Sequence, residues 1–275
     1  MTVHARRVAD ADDPPETAIE TLLDATAPTL GGRVLVVPDT HHPYHPTTGA
    51  VTNPVVLDAV LTHLDAAGHD VRVGVTDARA ARFVGVERVA ARHDMPVVSL
   101  ADAPTHTVTP DGASERVAVP APLVEDSVVA LPTLRRDDGG DGSGIAGVGA
   151  LCARALGHDS RALARTTVSP ALAILDATYT LGADAHESGV VAASTDGRAL
   201  DAIAADALNA TPPDGAATPT VEGMAPGALD RAVTDEAPAS AATGDVLAAC
   251  YRAYARFVGD AVPPQFQRDA TEGER

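Results

Sequence analysis

The sequence predicts an α/β fold: a doubly wound, mainly parallel sheet with helices on both faces. Three observations predict it. Arg33-Val-Leu-Val-Val-Pro38 is a continuous apolar run, as expected of a strand buried on both faces of a parallel sheet. Strand-like and helix-like segments then alternate along the chain, the rhythm of crossover units. The first unit also has clear start and stop signals, Asn53-Pro54 before its helix and Gly68 after it.

In chain order, residues 1–15 read as a loose arm. Glu16–Ala27 has helical spacing at Ile19, Leu22 and Leu23 and stops at Pro28. The strand 33–38 follows, then a polar loop from Asp39 to Thr52. The helix Pro54–Ala67 places Val56, Leu57, Val60, Leu61 and Leu64 on one face. Val71–Thr76 is a strand, Ala80–His93 a helix and Pro96–Leu100 a short strand. Residues 104–119 read as a strand pair or a long connection, 124–127 as a short helix and Val128–Pro132 as another buried strand. A Gly/Asp loop from Arg135 to Gly149 precedes a helix through Leu156. Ala171–Asp176 and Val190–Ser194 are strands and Ala199–Leu208 a helix.

The expected domain plan is an N-terminal arm and helix (1–28), an α/β domain (29–210) and a linker-like excursion rich in Ala, Pro, Thr and Gly (211–243). A C-terminal helix packing on the domain (244–262) and a disordered tail (263–275) follow. No internal repeat is visible.

Composition narrows the function. The 275 residues carry 38 Asp and Glu against 20 basic residues, a net charge of −18. All twenty basic residues are Arg; there is no Lys. Such a surface is repelled by phosphate backbones and by anionic lipid, so neither nucleic acid nor a membrane is an expected partner. An acidic, lysine-free skin with a small-residue core matches the halophilic pattern and predicts an archaeal cytoplasm at molar salt, where the Debye length is roughly 3 Å. No run of eighteen apolar residues occurs, and the first fifteen residues lack an apolar stretch, so the chain is expected to stay in the cytoplasm. Cys152 and Cys250 read as buried apolar residues, and two cysteines cannot supply the four ligands of an iron–sulfur cluster.

Four constellations could carry chemistry. Asp39, His41, His42 and His45 follow the first strand, where open α/β sheets place ligands, and supply oxygen and nitrogen donors suited to a divalent transition metal, Zn, Fe or Ni. A further ligand would come from His158 or His186; the alternative is a proline-stiffened surface loop. Thr48, Thr52 and Asn53 lead into a helix N-terminus, which suits an anionic ligand or serves as plain capping. Gly142-Ser-Gly-Ile-Ala-Gly147 matches G-x-G-x-x-G literally. Its loop is too long for a dinucleotide turn, and Asp137, Asp138 and Asp141 would repel a pyrophosphate. Arg135 and Arg136, just past a strand end, are better anion ligands. Asp176, Asp196 and Asp201 form a secondary acidic set; Asp196-Gly197 also reads as an ordinary turn and Asp201 as an exposed helix residue. Ser143 and Ser188 lack a nucleophile-elbow context.

Several of these segments together resemble the DUF362 family. They are Val34–Asp39, Thr48-Gly-Ala-Val-Thr-Asn-Pro54 with the helix after it, Gly68–Gly74, Val128-Val-Ala-Leu-Pro-Thr-Leu-Arg135, Leu172–Asp176 and Val191–Ala205. The likeness covers roughly residues 30–210, and the order of the motifs carries it. The family's Lys-x-Lys-Thr-His stretch appears here as Thr133-Leu-Arg-Arg-Asp137, without Lys or His, and the ferredoxin-like cysteine clusters of many members are missing. The resemblance implies a redox or metallocofactor context, with a separate ferredoxin-like protein as the partner that would hold an iron–sulfur cluster. A weaker likeness links Asp39-Thr-His-His-Pro43 to nickel-pincer lactate racemase-type proteins. The leading expectation is a metal-dependent or metallocofactor-linked enzyme acting on a small anionic substrate. The alternatives are a non-catalytic anion-binding protein and a subunit docking to an iron–sulfur partner.

Overall fold

The computed structural model describes residues 1–8, 15–26, 28–110, 114, 116–136, 145–181, 185–213 and 218–224. In order the elements are β1 (Thr2–Arg7), α1 (Pro15–Thr26), β2 (Arg33–Pro38), α2 (Pro54–Ala66) and β3 (Asp70–Val75). Then come α3 (Ala78–Val84), α4 (Val86–Arg92), β4 (Val97–Ser99), β5 (Thr105–Val108), β6 (Val117–Pro120) and α5 (Pro122–Glu125). The rest are β7 (Ser127–Leu131), β8 (Thr133–Arg135), α6 (Val148–Leu156), α7 (Arg161–Thr167), β9 (Leu172–Leu181), β10 (Ala185–Ser194), α8 (Gly197–Ala207) and β11 (Thr220–Glu222).

The main sheet runs β11-β1-β10-β9-β7-β2-β3-β4, with β8 paired to β9. Five neighbours, β9-β7-β2-β3-β4, are parallel, as the sequence predicts. The chain leaves β2 toward β3 and β4, then returns through the antiparallel β5–β6 hairpin to lay β7 on the other side of β2. The strand order therefore reverses between β2 and β7, and their carboxyl ends open the crevice where open α/β sheets bind ligands.

Two apolar clusters sandwich the sheet. On one face Val34, Val36, Val73 and Ile174 pack under α1, α2 and α4. On the other, Leu35, Val37, Ala130 and Leu175 pack under α6 and α8. The alternation within β2 sends successive side chains to opposite faces. In α2, Asn53 caps the helix by accepting from Val55 N–H with Pro54 at the first position, and the face predicted from spacing is fully buried. Each such Val or Leu contributes about 1.5–3 kcal/mol by burial.

Several expectations are corrected. The N-terminal arm is not loose: β1 pairs antiparallel with β10 and buries Val3 and Ala5. The single helix expected over 80–93 is two, divided at Gly85, whose φ of +99° no helix interior accommodates. The strands near 171–176 and 190–194 extend into a long antiparallel pair, β9 and β10, so one side of the sheet is antiparallel. The excursion at 211–243 contributes β11, which adds to β1 at the sheet edge. The C-terminal helix and tail, with Cys250, lie outside the described residues, as do Gly142–Gly144 of the glycine loop. Among the described residues no helix is long and apolar enough to cross a membrane.

Candidate functional site

Asp39 is the first residue past β2 and is fully buried. Its backbone is pinned from two sides: its N–H donates to Leu131 O at 3.1 Å and to Thr52 Oγ1 at 2.7 Å, and its carbonyl accepts from Thr52 N–H at 2.9 Å. Thr52 in turn donates its hydroxyl to Leu131 O at 2.8 Å. The carboxylate is thus fixed in the crevice between β2 and β7. Oδ1 faces His41 Nδ1 at 2.6 Å, and Oδ2 accepts from Arg154 Nη2 at 2.7 Å and from Thr133 Oγ1 at 3.4 Å.

His41 continues the chain of contacts, its Nε2 standing 3.0 Å from Arg135 Nη2. A guanidinium can only donate, so Nε2 is the acceptor and the ring proton resides on Nδ1, which donates to Asp39. Burial lowers the pKa of His41 to about 4; Asp39 opposes that shift, while Arg135 and Arg154 add to it. The imidazole is therefore neutral at neutral pH. Burial alone would raise the Asp39 carboxyl, but Arg154, His41 and Arg135 together hold it well below the usual carboxylate range. Two arginines, Arg135 and Arg154, thus act on one buried carboxylate.

His42 is exposed and tilts against both His41 and Tyr44, with ring centroids 4.4 Å and 5.0 Å apart. His45 turns away: its Nδ1 accepts from Thr47 N–H and caps the short 3-10 turn Pro46–Thr48. Asp39 commits both oxygens and His41 both nitrogens to protein partners. Among the described residues no group of three or more His, Cys, Asp or Glu is placed to hold a metal ion. The metal set expected from Asp39, His41, His42 and His45 is thus not assembled, and zinc, iron or nickel finds no fitting donor set there. His158 accepts from Ser160 N–H, and His186 lies on β10 opposite Thr180, beyond the residues whose side chains are described.

The anion site expected at Thr48, Thr52 and Asn53 is also corrected. Asp176, fully buried on β9, places Oδ2 2.6 Å from Asn53 N–H, while Oδ1 accepts from the backbone and hydroxyl of Thr178. The protein's own carboxylate occupies the start of α2. Burial raises the pKa of Asp176 against the pull of these donors. Thr48 donates to His45 O, and Thr52 is spent on Asp39 and Leu131.

Asp201 repeats the arrangement at α6. It is fully buried and accepts from Val148 N–H at 2.6 Å, Gly149 N–H at 3.2 Å and Arg165 at 3.1 Å. A Cβ on Gly147 would lie 2.0 Å from Asp201 Oδ1, so the last glycine of the G-x-G-x-x-G match makes room for a carboxylate of the protein. Asp196 caps α8 through Arg198 and Ala199 N–H. Of the two arginines, Arg135 faces the crevice and Arg136 reaches Leu208 O at the end of α8, as strand alternation requires. Arg154, which sequence reasoning missed, takes the second cationic place.

The family model described as a domain of unknown function, DUF362, matches residues 34–146. No curated protein and no solved structure matches the chain. The matched stretch runs from β2 through Ile145-Ala146 and contains Asp39, His41, Thr133 and Arg135; Arg154 and Asp176 lie beyond it. The match covers 113 of the chain's 275 residues, and over that stretch the chain is similar to the DUF362 family.

Proposed function

We propose that the chain is an enzyme acting on a small anionic substrate in the β2–β7 crevice, with His41 as general acid–base and Arg135 as anion receptor. The observation that supports it most is the Asp39–His41 pair. A buried, ionised carboxylate orients the imidazole through Nδ1 and presents Nε2, the logic by which an acidic residue prepares a histidine for proton transfer. A substrate anion engaging Arg135 would bring its own proton toward Nε2. No metal enters this reading. The lysine-free acidic surface supports a halophilic, archaeal cytoplasm as the setting.

A second reading, non-catalytic capture of the same anion, is favoured by one observation: Arg135 ties up the Nε2 lone pair. A single experiment addresses both. Small carboxylates and phosphate esters are incubated with the protein in D2O at molar KCl and followed by NMR, beside thermal unfolding with and without each compound. Catalysis predicts loss of a substrate C–H signal or appearance of product, abolished in His41→Gln. Stabilisation that Arg135→Ala abolishes, without turnover, leaves the capture reading. No stabilisation by any anion defeats both.

A further inference from the structure

A cleft of about 310 Å³ opens where β9 begins and the antiparallel β10 ends, between α6, the end of α7 and the start of α8. Because β9 runs parallel to β7, this amino end of β9 faces away from the β2–β7 crevice. The inner lining is apolar: Val148, Cys152 and Val168 are buried, and Pro170 partly so. One wall carries the Arg165–Asp201 ion pair, 3.1 Å apart, with Asp201 buried. Gly149 makes room for this guanidinium, since a Cβ there would lie 2.3 Å from Nε. The lip carries Ser169, Thr195 and Arg198, three exposed residues whose side chains have no protein partner among the described residues. Asp196 is the remaining acid, and its Oδ1 is spent on capping α8 through the N–H groups of Arg198 and Ala199. The first turn of α8 is therefore capped by the protein itself, and the free donors of the cleft are side chains.

We propose that this cleft binds a short aliphatic monocarboxylate, with the carboxylate held at the lip by Arg198, Ser169 and Thr195 and the alkyl chain against Val148, Cys152 and Val168. The charges select the head group. Arg165 and Asp201 neutralise each other, and Asp196 is turned to the N–H groups of α8. Of the two cations lining the cleft, Arg198 is the uncommitted one, a match for a single negative charge. A dianion such as a phosphate ester would also face the carboxylates of Asp196 and Asp201. A guanidinium takes a carboxylate through two parallel N–H donors, and the hydroxyls add further donors. The apolar lining selects the rest of the molecule, because each methylene it covers leaves water. The volume stands at the small end of ligand pockets, about 300–1,000 Å³, so the alkyl chain is short. Cys152 serves as a packing surface and not as a nucleophile: burial pushes its thiol up to about 12, and Asp201 adds to the shift. This site is separate from the crevice and does not depend on the reading given to it.

The test is calorimetric titration of the full chain at molar KCl with butyrate, and with acetate and inorganic phosphate for comparison. The proteins are wild type, Arg198→Ala and Arg135→Ala, and methyl NMR of the wild type with butyrate runs beside them. Butyrate is expected to bind roughly tenfold more tightly than acetate, because it buries two more methylenes, and more tightly than phosphate. Arg198→Ala changes an exposed side chain and should weaken butyrate roughly fivefold or more, the loss of one charged contact in screening salt. Arg135→Ala should leave butyrate binding unchanged, and the methyl signals of Val148 and Val168 should shift as butyrate is added. Butyrate binding that Arg135→Ala weakens and Arg198→Ala does not would belong to the crevice, which overturns the second site and supports the anionic-substrate reading. Equal binding of acetate and butyrate overturns the apolar part of the site. Tighter binding of phosphate through Arg198 overturns the monocarboxylate class. Unmoved Val148 and Val168 signals, or no butyrate binding at all, overturn the proposal whatever the crevice binds.

Discussion

Nδ1 of His41 lies 2.6 Å from Oδ1 of Asp39, and this contact fixes which nitrogen of the ring carries the proton. The same carboxylate is the counter-charge of Arg154. Asp39 thus joins the orientation of a titratable ring to the neutralisation of a half-buried cation.

Asp39→Asn should therefore damage stability as well as the site. It leaves Arg154 without its partner in a buried setting, and breaking such a pair costs about 3–5 kcal/mol. Arg154 is 22% exposed, so solvent relieves part of this, and the lower end, about 3 kcal/mol, is expected. Urea unfolding at neutral pH measures it. A midpoint equal to wild type would mean that the pair contributes nothing to stability.

Gly147→Ala should also destabilise the fold, by about 1–3 kcal/mol, the range for forcing extra atoms into a packed interior. The added methyl would meet Asp201 Oδ1 at 2.0 Å and displace the carboxylate from the N–H groups of Val148 and Gly149. Gly157→Ala is the control: nothing lies within 4 Å of the added Cβ, but φ is +64°, so only backbone strain is tested. Thermal unfolding of the two variants separates the effects. A smaller loss at Gly147 than at Gly157 would refute the steric account.

Much of the parallel half of the sheet can be read from residues. The apolar run 34–37 must be a strand covered on both faces, and Asn53-Pro54 must start a helix. The place of the candidate crevice follows too, because a strand at a reversal of order exposes its carboxyl end. Arg154 was hidden because an arginine in a helix of Ala and Leu looks like a solvated residue until the tertiary fold turns it toward Asp39. The roles of Asp176 and Asp201, which the sequence offers only as an acidic set, are hidden for a related reason: each caps a helix far away in sequence, and no local pattern records that distance. β1 was missed because only Val3 and Ala5 mark its buried face. Arg136 could have been separated from Arg135 by strand alternation alone.

Salt should set the stability of the whole molecule. With a net charge of −18 and no lysine, acidic groups repel one another unless screened. The unfolding midpoint is expected to rise steadily from low to molar KCl. Equal midpoints at the two ends would remove the halophilic interpretation of the composition.

Acid should unfold the protein in a window that His41 defines. Its pKa falls from 6.5 in an exposed ring to about 4 in the folded protein. Between those values the unfolded chain binds a proton that the folded one does not, so stability rises with pH there and is lost as pH falls from 6.5 toward 4. One such proton is worth about 1.4 kcal/mol per pH unit, so His41 alone accounts for about 3 kcal/mol across the window. His42 and His45 are also lowered by burial and act with the same sign. Asp39 is depressed, so its contribution is present above the ordinary carboxylate range and is lost only at lower pH. Asp176 and Asp201 are raised by burial and oppose the trend: the folded state takes up their protons first, which restores some stability in acid. Comparing wild type with His41→Gln by urea unfolding from pH 7.5 down to 4.5 cancels the contributions the two proteins share. The variant should show a shallower loss over this range, and parallel curves would show that His41 is not held neutral by its surroundings.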